Sequence, residues 1–87
     1  MSEYRITFLR SARKEIASLD KRTVSRIFSK IESLSKQPYP RGNRKLEGAD
    51  DLWRIRVGDY RVVYRILDEE LVIEIIGVRH RRDAYRP

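Results

Sequence analysis

The stretch from Leu52 to Leu67, LWRIRVGDYRVVYRIL, alternates apolar and polar side chains on both sides of a Gly-Asp pair. Trp53, Ile55 and Val57 interleave with Arg54 and Arg56, and Tyr60, Val62, Tyr64 and Ile66 interleave with Arg61, Val63 and Arg65. A period of two puts each set on one face of an extended strand. With Gly58-Asp59 as the centre of a primed turn, the segment is a hairpin in which Val57 faces Tyr60, Arg56 faces Arg61, Ile55 faces Val62 and Trp53 faces Tyr64. One face is then apolar. The other gathers Arg54, Arg56, Arg61 and Arg65 with no acid from either strand. Like charges opposed across a sheet cost roughly a kcal/mol per pair in water, so folding alone gives no reason to collect them. The ordinary reading is a solvated face, but solvated faces mix their signs, and a face of one sign points to an anion.

The rest of the composition narrows the class of partner. A net charge of +7 on 87 residues and an isoelectric point near 10.1 suit nucleic acid, an acidic membrane surface or an acidic protein. The length allows one small domain with a single core. Without cysteine there is neither a disulfide nor a thiolate metal site, and a single histidine makes bound metal an unpromising source of chemistry. No apolar run reaches the roughly 18 residues of a membrane span, and the N-terminus lacks the apolar stretch of a signal peptide, so a cytoplasmic location is expected.

Ahead of the hairpin, Tyr4 to Leu9 alternates as a half-buried strand. Ser11 is placed to cap a short helix carrying Ala12, Ile16 and Leu19 and ending near Asp20. Asp20 is placed to cap a second helix, Lys21 to Ser35, whose Val24, Ile27, Phe28, Ile31 and Leu34 form an apolar stripe. The turn-rich run from Gln37 to Asn43 ends the helical half. Arg44 and Lys45 then extend the positive surface. Past the hairpin, Asp68-Glu69-Glu70 is a polar turn and Leu71 to Val78 a largely covered middle strand. A loop of three or of four residues decides whether Glu74 shares the arginine face or the core face, and both registers fit the sequence. The chain closes on a basic tail, Arg79 to Pro87, with the only histidine, His80, and with Arg82 continuing the positive surface.

The order strand, helix, helix, three strands predicts an α+β fold: two N-terminal helices packed on one face of a small antiparallel sheet, β-α-α-β-β-β. The opposite face, with its arginines, stays open. Such a face meets the needs of RNA cleavage by the RNA's own 2′-hydroxyl, whose transition state gathers negative charge on the non-bridging oxygens of one phosphate. A guanidinium fork binds two of those oxygens together. A proton must also leave the 2′-oxygen and another must reach the departing 5′-oxygen. Arginine stays protonated and removes the first poorly, whereas histidine as a residue type ionises near neutrality, which makes His80, the only one, the candidate acid or base. Stacking on a base, a hydrogen bond to the phosphate and a proton relay are all open to Tyr85. A lone histidine in a basic tail is more often a plain surface residue, and a tyrosine near a C-terminus more often an anchor.

The run LEGADDLWRIRVGDYRVVYRI, a third strand, then VRHRRDAYR, with the opening YRITFLRSARKEIASLDK, resembles the RelE/ParE superfamily of bacterial and archaeal toxins, and its RelE branch more than its ParE branch. The resemblance spans nearly the whole chain. It implies a single RelE-like toxin domain over residues 1–87, with the microbial RNase fold of that family. The activity it implies is that of a ribosome-dependent endonuclease, which cuts the mRNA codon exposed in the A site by metal-independent 2′-hydroxyl attack and uses no cofactor. The partners it implies are the ribosome and mRNA, with contacts to 16S ribosomal RNA, and a cognate RelB-like antitoxin that wraps the toxin; neither membrane nor metal is among them.

Carried over by position, Arg54 and Arg56 fall where RelE-like toxins place basic residues before the hairpin turn, and Arg61 falls on an arginine associated with phosphate contact. Arg81 falls on the catalytic arginine after the third strand, and Tyr85 on the tyrosine that stacks on the nucleotide. The catalytic set expected is therefore Arg56, Arg61, His80, Arg81 and Tyr85, with Arg44, Lys45, Arg54, Arg65 and Arg82 binding RNA. One departure bears on the mechanism. The best-studied RelE has lysines where Arg54 and Arg56 stand, one of them proposed as general base, so that role is open here and His80 is the residue to share it. The turn is also shorter. The competing class is the ParE branch, a gyrase-inhibiting binding module of the same fold, which generally lacks the histidine, arginine and tyrosine of the tail. A degenerate toxin that only binds its antitoxin is a third.

Overall fold

A computed structural model describes residues 3–46 and 51–80. In chain order the elements are β1 (Arg5–Phe8), α1 (Arg10–Ala17), α2 (Lys21–Lys36), β2 (Arg44–Lys45), β3 (Leu52–Val57), β4 (Tyr60–Leu67) and β5 (Val72–His80). The hairpin has the predicted register, Val57 opposite Tyr60, Arg56 opposite Arg61, Ile55 opposite Val62 and Trp53 opposite Tyr64. Gly58 takes a φ of +60°, the left-handed conformation a primed turn requires.

Among the described residues both helices lie against one sheet, ordered β1-β5-β4-β3-β2. The sheet is mixed rather than wholly antiparallel, because β1 runs parallel to β5, Arg5 beside Val72 through Phe8 beside Ile75. Sequence order hides that pairing: the two strands are the first and last among the described residues, and the helical crossover sets them parallel. Two residues of the segment after the turn-rich run add a short edge, β2, pairing Arg44 with Arg54 and Lys45 with Trp53.

Where β1 ends, α1 takes over the outer edge of β5. The Leu9 amide donates to the Ile75 carbonyl (3.0 Å), the Ser11 hydroxyl donates to the Ile76 carbonyl (3.0 Å), and the Val78 amide donates to Glu15 Oε1 (3.0 Å). Ser11 is thus not the cap: the helix starts two residues earlier, with Leu9 at the cap position and no side-chain cap bond. The hydroxyl is spent on the strand edge instead. The second helix starts as expected, with the Asp20 carboxylate accepting from the Thr23 amide (3.3 Å) and from the Thr23 hydroxyl.

The core is the single layer between helices and sheet. Ala12, Ile16, Ile27, Ile31 and Leu34 meet Ile55, Val62, Tyr64, Ile66, Ile73, Ile75 and Val78. Phe28, predicted inside, is 39% exposed; it lies at the edge of the stripe with its ring 5.7 Å from that of Phe8. Tyr64 is fully buried. Its hydroxyl donates to the Pro38 carbonyl and accepts from Asn43 Nδ2, both at 3.3 Å, tying the turn-rich run to the sheet.

Candidate nucleic-acid interface

The register sorts the charged residues without further assumption. Arg54, Arg56, Arg61 and Arg65 all fall on the face away from the helices, since their neighbours Ile55, Val62, Tyr64 and Ile66 fill the core. Arg44 joins them opposite Arg54. Arg79, opposite Arg61, extends the row, so Arg56, Arg61 and Arg79 stand side by side on three adjacent strands.

Arg44, Arg54, Arg56 and Arg61, with Gly42, line a concavity of ≈ 330 Å³, and among the described residues no acid lines it. Arg61 is only 6% exposed and forms its floor. Arg54 is half-buried, and Arg44 and Arg56 are exposed at the rim. Gly42, at a φ of +93°, stands at the mouth, with none of the described residues within 4 Å of where a Cβ would be.

Arg65 does not share this site. Its Nη1 donates to Glu74 Oε1 (2.8 Å) and its Nε stands 3.0 Å from Asp51 Oδ2, so its charge is met by two carboxylates. The turn between β4 and β5 has the longer of the two expected lengths, with Leu71 in it at a φ of +56°, and Leu67 opposes Val72. That register puts Glu74 beside Arg65 on the arginine face. Arg79, which the sequence alone did not single out, is held by an ion pair to Glu15 Oε2 (2.9 Å). The only signal for it was its place one step from the end of the last strand.

His80 goes the other way. It opposes Tyr60, and the two rings meet edge to face with centroids 5.2 Å apart. Tyr60 packs on the core, so His80 stands on the helix side of the sheet, in a hollow shared with Ser18, Leu19 and Val78. The structure therefore does not bring His80 to the arginine concavity. Lys45, opposite Trp53, also alternates away from Arg44. Arg81, Arg82 and Tyr85 lie outside the described residues. Among the described residues no group of three or more His, Cys, Asp or Glu is gathered to hold a metal ion, and no helix is long and apolar enough to cross a membrane.

Known proteins share this fold of two helices against a five-strand mixed sheet. Residues 6–85 match the family described as the ParE toxin of the type II toxin-antitoxin system parDE. The toxin RelG of Mycobacterium tuberculosis is 33% identical, across 95% of this chain and 97% of its own. The chain belongs to the RelE/ParE toxin superfamily, on its RelE-like branch. The mRNA interferase toxin RelE of Escherichia coli K12 is 30% identical, across 94% of this chain and 90% of its own. Among solved structures, the archaeal RelE-RelB complex from Pyrococcus horikoshii contains a chain 34% identical that superposes with a TM-score of 0.82, covering 94% of this RelE-like chain and 99% of that one.

Proposed function

We propose that this RelE-like toxin is a ribosome-dependent mRNA endonuclease, and that the hollow lined by Arg44, Arg54, Arg56 and Arg61 is where the scissile phosphate sits. That hollow is the observation the proposal rests on, and the mRNA interferase name of a relative supports it. In the reaction the 2′-hydroxyl gives up its proton as its oxygen attacks phosphorus, the bond to the 5′-oxygen breaks and that oxygen takes up a proton, so that a 2′,3′-cyclic phosphate and a 5′-hydroxyl are left with no net change in protons. Arg61, buried and therefore fixed, donates to the non-bridging oxygens where charge develops, and Arg56 and Arg54 hold the flanking phosphates. Arg81 and Tyr85, as the family resemblance implies, complete the site. Its register keeps His80 with Tyr60 on the far side of the sheet, so in this proposal His80 secures the end of β5 and does not move the proton. Arg82 and Lys45 add long-range attraction for RNA.

The partners follow the same reasoning: the ribosome with its mRNA and 16S RNA, in the cytoplasm, and an antitoxin of the RelB kind, since the archaeal relative was solved with one. The match to the ParE family favours a second activity, inhibition of DNA gyrase without nuclease chemistry. Toeprinting of mRNA on programmed ribosomes beside a gyrase supercoiling assay separates them. Cleavage within the A-site codon with supercoiling unaffected is the expected result; intact mRNA with blocked supercoiling would overturn it.

A further inference from the structure

A second basic groove lies on the opposite side of the hairpin tip. One flank is the exposed side of α2, where Ser25, Ser29 and Ser33 recur one turn apart with Arg26 and Lys30 beside them; the other is the end of β3, with Arg56 and Gly58. The groove measures ≈ 650 Å³. Among the described residues its lining holds three cations and three hydroxyls, of which that of Ser33 already donates to the Lys30 carbonyl (2.6 Å), with no carboxylate and only Val57 as an apolar side chain. Arg26 is set in place by the turn: its Nη1 would lie 3.3 Å from a Cβ at Gly58, so the guanidinium rests against the bare backbone there. Arg56 borders this groove and the arginine hollow alike.

We infer that the α2–hairpin groove is a second RNA-backbone subsite, holding sugar-phosphate of a strand whose other part occupies the arginine hollow, with Arg56 as the link between the two. The inference rests on the RNA-binding function proposed above for that hollow. Hydroxyls interspersed with guanidinium and ammonium groups are what phosphate oxygens take as donors. A protein partner normally needs a cluster of apolar or aromatic anchors at the centre of its interface, and the described lining offers Val57 alone. Sequence-independent capture of backbone outside the cutting site gives an enzyme binding energy that does not depend on the codon. Glu32 and Asp59 stand nearby on α2 and in the turn without lining the groove, which sets its border.

The test uses the full chain and two RNAs, a uridine dinucleotide that fits only the hollow and a long oligouridylate that reaches both places. In the Arg26→Gln/Lys30→Gln variant, dinucleotide binding followed by NMR titration stays as in the wild type. Affinity for the long RNA falls, and the slope of log affinity against log salt shrinks by about 1.4, two charges at roughly 0.7 each for a single strand. Ser29→Glu, which puts a negative charge in the groove and gives the helix a better former than serine, weakens the long RNA alone and keeps the outcome readable if the double variant is unstable. Wild-type affinity and slope for the long RNA in both variants would overturn the inference, and so would equal losses for both RNAs or displacement of the long RNA by oligoglutamate of matched charge. A wild type that ignores the dinucleotide would instead count against the hollow itself.

Discussion

Arg44, Arg54, Arg56, Arg61, Arg65 and Arg79 share one sheet face, and their surroundings give them different work. Arg61 is buried at the floor of the hollow, which preorganises its guanidinium, and Arg65 is held between Glu74 and Asp51, away from the hollow. Arg61→Ala is expected to lower single-turnover cleavage on programmed ribosomes by about 10²- to 10³-fold, the loss typical of one preorganised donor to a developing oxyanion. Arg65→Ala should leave that rate within about tenfold and instead lower unfolding stability by about 0.5–1 kcal/mol, since the pair is a third exposed and partly screened. Urea titration and cleavage of both variants check this, and a reversed order of the two rates would refute the assignment. His80→Gln should change the cleavage rate by less than about threefold, because the ring faces Tyr60 and the helices; a loss as large as that of Arg61→Ala would restore His80 to the chemistry.

At the level of strands and helices, what could be read ahead of the structure was local. The central hairpin followed from a two-residue period and a Gly-Asp turn, and the second helix from Asp20 and its apolar stripe. The parallel pairing of β1 with β5 could not be read, because nothing in either strand names a partner so distant in the chain. Nor could the side taken by Glu74 or by His80. Leu71 carries no mark of the left-handed turn it adopts, and β5 slips by one residue against β4 at Val63/Tyr64, leaving Ile76 unopposed, so alternation counted along the strand fails beyond that point. The arginine hollow was readable because it sits on the hairpin; the pairing of Arg65 and the place of Arg79 required the register. Gly77, next to the slip, shows what the irregularity serves. A Cβ there would lie 2.8 Å from Glu15 Oε1, the atom that accepts the Val78 amide and belongs to the carboxylate paired with Arg79. Gly77→Ala is expected to cost about 1–2 kcal/mol by displacing that carboxylate, as for a lost hydrogen bond to a charged group. In a Glu15→Ala background the cost should largely vanish, and additive losses in a double-mutant cycle would rule the contact out as the cause.

Across the whole molecule, one carboxylate ties together three segments far apart in sequence. Asp68, in the turn after β4, accepts from the Tyr4 hydroxyl (2.6 Å) at the start of β1 and from the Tyr39 hydroxyl (2.7 Å) in the turn-rich run. Tyr39 in turn meets Trp53 edge to face at 5.2 Å. The Tyr4 bond, then the Tyr39 bond, hold the Asp68 carboxyl below its usual range, while hydrogen bonding to Asp68 raises Tyr4 and pushes Tyr39 up to about 12. For Asp68 the folded value is depressed, so its contribution is complete above the ordinary carboxylate range near 3.9 and is lost as pH falls through the folded value. For the tyrosines the folded value is raised, so theirs is complete below about 10 and is lost as pH rises, toward 12 for Tyr39. The melting temperature of wild type should therefore exceed that of Asp68→Asn by a constant margin between roughly pH 5 and 9, narrowing at both ends. Asp20 is also held low, by the Thr23 hydroxyl and amide, so both proteins lose stability in acid, and only the difference between them reports the tyrosine clamp. A margin that stays constant into acid and alkali would mean that the three segments are joined by packing, with Tyr39 on Trp53 carrying the contact, and that the shared proton bonds add nothing.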